Sequence, residues 1–127
     1  MKKIIALSVL VLMSVVAFAQ NTPVPKWVKN NAENYVEFAT KEWKLSKEQQ
    51  EVIYDYRLDL MVKRSQVYKQ KKEGELTQEE AKTKIQAIQK EASQKFTKYL
   101  NIKWKEYYRV DKAFNEAQKA KKAQKSK

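Results

Sequence analysis

Between residue 26 and residue 127 this chain contains one glycine, Gly74, and no proline. A sheet needs tight turns at short intervals, and tight turns draw heavily on glycine and proline. A hundred residues almost free of both read as long helices joined by minimal connections, so the expected fold class is all-α. The two prolines, Pro23 and Pro25, lie in the segment before Lys26. There they favour an extended lead-in with a helix starting directly afterwards.

Apolar spacing divides the remainder. Val28, Ala32, Tyr35, Ala39 and Trp43 share one face of a first helix over 27–43. A second helix opens at Ser46, where Ser-Lys-Glu-Gln has the form of a capping box closed by Gln49. It runs through Val52, Ile53, Tyr56, Leu60, Met61 and Val67 to Glu73, a length of roughly 42 Å at 1.5 Å per residue. Gly74 stands where a left-handed C-terminal cap belongs, and Thr77 in Thr-Gln-Glu-Glu opens a second capping box three residues later. A connection this short makes the second and third helices an antiparallel hairpin. The third helix carries Ala81, Ile85, Ile88, Ala92, Phe96 and Tyr99 as a narrow, coiled-coil-like seam. Near Leu100 two readings stand: Asn101 caps a fourth helix carrying Trp104, Tyr107 or Tyr108, and Phe114, or the third helix simply continues. The end of the chain, AQKAKKAQKSK from Ala117 to Lys127, has no apolar face and is expected to fray. The expected architecture is a long antiparallel hairpin with a preceding N-terminal helix and a C-terminal helical extension.

The first nineteen residues differ from everything after them. Lys2 and Lys3, the apolar run Ile4–Val16 and the small residues of Ala17-Phe18-Ala19 form the three parts of a secretory signal, with cleavage expected after Ala19. The apolar run is shorter than the roughly 20 residues that span a bilayer. The expected organisation is a leader at 1–19, an extended lead-in at 20–26, a helical domain at 27–116 and a basic flexible tail at 117–127, in a periplasmic or secreted protein. Losing the leader removes two lysines and no acids from a formal net charge of +12, leaving +10.

The chain contains neither cysteine nor histidine. That excludes a disulfide framework, ordinary zinc, copper and iron sites, and every hydrolytic triad or dyad built on His or Cys. No catalytic residue, cofactor or metal is therefore expected. Glu51, Asp55 and Asp59 recur at helical spacing, but Lys47 and Lys63 bracket them at the same spacing, which points to a salt-bridged solvated face. Seven tyrosines and three tryptophans among lysines could stack on single-stranded nucleic acid. Most of them fall on the apolar seams, which points to core packing instead, and no specific nucleic acid is expected.

A short pattern recurs at the helix starts: Leu45-Ser46-Lys47-Glu48-Gln49 and Leu76-Thr77-Gln78-Glu79-Glu80, and more faintly Leu100-Asn101-Ile102-Lys103-Trp104. On its own it is helix-capping chemistry, with the leucines as hydrophobic staples. Placed after a secretory leader and a short helix, at the heads of two long basic helices, it resembles the LTxxQ motifs of the Spy/CpxP type of periplasmic proteins. The likeness covers about residues 45–100 and rests on Leu45, Ser46 and Gln49, and on Leu76 and Thr77. Ser46 stands where the motif has threonine, and Glu80 where it has glutamine. The resemblance implies an envelope-stress protein whose hairpins form a thin, curved homodimer and hold unfolded clients on a basic concave face without ATP.

On the second helix, Tyr54, Leu58 and Val62 recur at i, i+4 and i+8 away from the main seam. They either pack against the first helix or serve as client contacts. High positive charge would draw unfolded or acidic polypeptides from a distance, and lysine stems beside Tyr, Met and Leu offer shallow apolar contact. A second function class is a basic structural or adhesive envelope protein, holding anionic lipid or polysaccharide through Lys119, Lys121, Lys122, Lys125 and Lys127.

Overall fold

The computed structural model describes residues 24–125, which form four α-helices: α1 (Lys26–Trp43), α2 (Lys47–Lys72), α3 (Gln78–Leu100) and α4 (Trp104–Lys125). The expected leader and cleavage point, most of the lead-in, Ser126 and Lys127 lie outside the described residues. The all-α class and the helical hairpin are as the sequence indicates.

Each connection is short because its ends are capped. At α2 the Ser46 hydroxyl accepts from the Gln49 amide at 3.2 Å, and the Gln49 side chain accepts from the Ser46 amide at 2.9 Å. Thr77 and Glu80 repeat the reciprocal pair at α3, each bond 3.1 Å long. At the other end of α2 the Glu75 amide donates to the Gln70 carbonyl and the Gly74 amide to the Lys71 carbonyl. That pairing is a Schellman motif, and it requires the positive φ of +81° that Gly74 adopts.

The third helix breaks, but Asn101 does not cap the start of a fourth helix. It closes the end of α3 in the left-handed region at φ +55°, while the Ile102 amide donates to the Thr97 carbonyl. Asparagine tolerates that conformation better than other side-chain-bearing residues, so one residue type serves either helix end. A second correction concerns 117–125. Helix α4 is continuous to Lys125 where fraying was expected. Alanine, lysine and glutamine are strong helix formers, and a helix already anchored upstream at Tyr107, Val110 and Phe114 propagates without a new nucleus.

The helices run up, down, up and down around a ring in which α1 meets α2, α2 meets α3, α3 meets α4, and α4 returns to α1. Contacts between Asn31 and Arg57, Trp43 and Glu106, and Glu42 and Arg109 set antiparallel registers. In those registers α1 and α4 run out together near the level of Val62, while α2 and α3 continue alone to the turn at 73–77. The molecule is thus a four-helix base carrying a two-helix arm.

The base is filled by rings. Tyr35 meets Phe96 and Phe114 edge-on at 5.8 and 5.2 Å, Phe96 meets Tyr107 at 4.9 Å, and Tyr56 leans on Phe96 at 5.6 Å. Val28, Ala32, Ala39, Leu45, Ile53, Leu60 and Val110 close the remaining space. The arm has a much thinner seam. Val67 and Ala81 are buried there, and Ile85 and Ile88 only half-buried.

Candidate functional site

Inside the base lies one charged side chain, Arg57, only 1% exposed. Its Nε donates to Asn31 Oδ1 at 3.0 Å and one of its terminal nitrogens to Asp111 Oδ1 at 2.8 Å. Its guanidinium stacks over the Tyr35 ring, 4.5 Å from the centroid, and near Phe114 at 5.2 Å. A buried charge is tolerated only when paired and hydrogen-bonded, and here a carboxylate, an amide and two ring faces from α1 and α4 share that role. Burial pushes the Tyr35 and Tyr107 phenols far above the ordinary tyrosine range. Arg57 sits amid Ile53, Tyr56 and Leu60, in a run that reads as one apolar helix face with a charge at its edge. Nothing local in the sequence points to Asp111, fifty-four residues on.

The surface is where a partner can bind. Tyr54, Leu58 and Val62 are half-buried, neither sealed beneath α1 nor fully open. Tyr54 edges a shallow depression with Lys47, Gln50, Glu51 and Asp55. Of the carboxylates in this stripe, Asp59 pairs with Lys63 at 2.9 Å and lies 3.7 Å from Lys95, while Glu91 faces both lysines.

On the arm, Tyr68, Ala81 and Ile85 line a groove of about 270 Å³, edged by Lys71 and Lys82 and by Gln78 and Gln86. Tyr68 is 49% exposed, and Arg64 both donates to its hydroxyl and lies over its ring. This volume falls just below the roughly 300–1,000 Å³ of small-molecule sites and suits one or two side chains of a chain laid across it. The sequence reading placed Val67, Ala81 and Ile85 on seams but did not single out Tyr68. The available signal was the length of α2 beyond the reach of α1, which leaves the face around Tyr68 uncovered.

The motif residues act at helix starts: Leu45 is buried in the core, Leu76 is half-buried, and Ser46, Gln49 and Thr77 cap. Of the tail lysines, Lys127 lies outside the described residues. Lys119, Lys121 and Lys122 are exposed, but Lys121 borders a groove with Phe38 and Phe114, whereas Lys119 and Lys122 lie on another side of α4. Lys125 ends the helix. No described helix is long and apolar enough to cross a membrane. No protein-family model, curated protein or solved structure matches the chain.

Proposed function

We propose that this chain is an exported, ATP-independent holdase that captures unfolded, acidic polypeptides, as its likeness to the Spy/CpxP proteins implies. The observation that supports this reading best is the arm: a basic two-helix projection whose apolar seam stays half open at Tyr68 and Ile85 between lysines. Such a surface attracts acidic segments at long range and holds them by weak, adaptable contact. Tyr54, Leu58 and Val62 extend the same kind of half-open apolar surface down α2. A homodimer formed through the arm would enlarge it, and a mass measurement in solution across working concentrations tests that part separately.

The experiment is light scattering of an aggregating acidic client mixed with residues 20–127 at increasing ratio, in low and in moderate salt. The expected result is suppression near equal ratio that survives moderate salt. Tyr68→Ser with Ile85→Ser is expected to weaken it several-fold, and Tyr54→Ser with Leu58→Ser less. Suppression that vanishes once salt is raised would leave charge as the only attractor and overturn the holdase reading in favour of attachment to an anionic envelope surface.

A further inference from the structure

Among the described residues, the large apolar side chains that stand exposed are all aromatic: Trp27, Tyr68, Tyr99, Trp104 and Tyr108. Three of them gather where α3 hands over to α4, and the two most exposed, Trp104 at 62% and Tyr108 at 60%, are one helical turn apart on α4. The core side of α4 is Tyr107, Val110 and Phe114. Turning 100° per residue, Trp104, Tyr108, Lys112, Asn115, Lys119 and Lys122 fall in a single stripe well away from that side, and all six are exposed. The stripe runs about 27 Å along a continuous helix.

Its charge is one-sided. Lys112 and Lys119, with Lys98, Lys103 and Lys105 beside the aromatic end, enter no ion pair among the described residues. Of the acids on α4, Glu106 is engaged by Arg109 and the Trp43 indole and Asp111 by Arg57, while Glu116 is exposed at the edge of the stripe, one turn from Lys112 and from Lys119. One carboxylate, Glu48 at the start of α2, has its charge felt at Tyr99. The stripe is the outward face of a single helix, α4. The grooves lined by Phe38 and Phe114, by Tyr54, and by Tyr68 and Ile85 all lie elsewhere.

We propose that α4 lies lengthwise on an anionic lipid surface, with Trp104 and Tyr108 seated at the headgroup level and Lys112, Lys119 and Lys122 reaching lipid phosphates. Indole and phenol rings are apolar bodies with one polar handle, and they partition to the boundary between hydrocarbon and headgroups. A stripe on the outward face of one helix meets a plane along its whole length, whereas an extended peptide needs a groove to be held. Lysines at such a surface bind by attraction to the anionic leaflet, which a neutral one does not supply. The site is separate from the arm, so the protein could be anchored through α4 while the arm stays free.

All described core residues lie between Val28 and Phe114, so residues 20–127 contain the fold. This protein, carrying Trp27→Phe and Trp43→Phe so that Trp104 alone reports, is mixed with vesicles of phosphatidylcholine with or without phosphatidylserine. Expected is a blue shift of Trp104 emission and loss of acrylamide quenching on the anionic vesicles only. In the chain with its tryptophans otherwise intact, Trp104→Ala with Tyr108→Ala is expected to cut partitioning, read by cosedimentation, by about tenfold. Lys112→Gln and Lys119→Gln are each expected to cost about fivefold. Circular dichroism of each variant confirms that the helices are intact. Equal binding to neutral vesicles, or undiminished binding of the Trp104/Tyr108 variant, overturns the proposal. So does soluble polyglutamate that binds with the same sensitivity to both ring substitutions, because the stripe would then be a site for acidic polypeptide.

Discussion

The base and the arm are built from the same helices α2 and α3, yet they are held together by different means. In the base, each of these helices has neighbours on two sides, and the space between is closed by Tyr35, Phe96, Tyr107, Phe114 and a stacked, ion-paired Arg57. In the arm the two helices have only each other, and the seam shrinks to Val67, Ala81, Ile85 and Ile88. A helix pair cannot bury both of its flanks, so side chains that would be core in the base become surface in the arm. Tyr68 shows the change. It lies on the flank of α2 that Arg57 and Met61 turn inward lower down, and it is half in water because α1 has ended. Stability belongs to the base, and the flank of α2 that is core there becomes open apolar surface where the bundle thins.

The largest effect that would break this comparison is expected at Asp111. Replacing it with alanine leaves the Arg57 charge buried with Asn31 as its one remaining hydrogen-bond partner, at a cost of about 3 kcal/mol; breaking a buried pair costs roughly 3–5, and Asp111 is partly open to water. The double change Arg57→Met with Asp111→Leu is expected to recover most of that loss, because it removes both charges together. Urea denaturation of the two variants decides it: a loss below about 1 kcal/mol in the single variant would mean that the base does not depend on this pair. Val67→Ala in the arm is expected to cost about 1–2 kcal/mol, expressed locally. Amides of 66–72 and 78–88 should then exchange faster while those near Ile53 and Phe96 keep their protection. Equal loss of protection in both regions would show that arm and base unfold as one unit, and the comparison would fail.

What was legible in the sequence divides along similar physical lines. Helix ends are encoded within a few residues, so Ser46 with Gln49, Thr77 with Glu80, and Gly74 identified the hairpin and its turn directly. Apolar spacing identified α1 and the α3 seam for the same reason. Arg57 was not legible, because its burial depends on Asn31 and Asp111, which only the closed ring brings near. Asn101 was legible as a break but not as the end of α3, since a left-handed asparagine and an N-terminal cap share the same residue preference. The helical course of 117–125 was missed because the absence of an apolar face outweighed the strong helix propensity of Ala, Lys and Gln in the reading. The Trp104–Lys122 stripe was hidden for another reason. Aromatics on a helix normally mark its buried side, and only the placement of Tyr107, Val110 and Phe114 shows that Trp104 and Tyr108 do not.

The two capping boxes allow the finest comparison, since one is closed by an amide side chain and the other by a carboxylate. The box at α2 closes with Gln49, which does not titrate; the box at α3 closes with Glu80, whose carboxylate accepts from the Thr77 backbone amide. That bond, together with the Thr77 hydroxyl, holds the Glu80 carboxyl below its ordinary 4.5. A lowered acid group contributes stability that is present above its ordinary value and lost as pH falls through the folded one. The start of α3 should therefore fray as the solution is acidified below about 4.5, while the start of α2 holds. Glu80 is fully exposed, so the effect is small and local, and amide shifts of Thr77 and Glu80 followed by NMR are the measurement able to see it. Glu80→Gln should copy the Gln49 box and abolish the pH dependence at α3 without moving the amides of Ser46 and Gln49. Fraying that persists in Glu80→Gln would place its cause in Glu79 or in general charge repulsion along this basic arm, and the capping carboxylate would have no part in it.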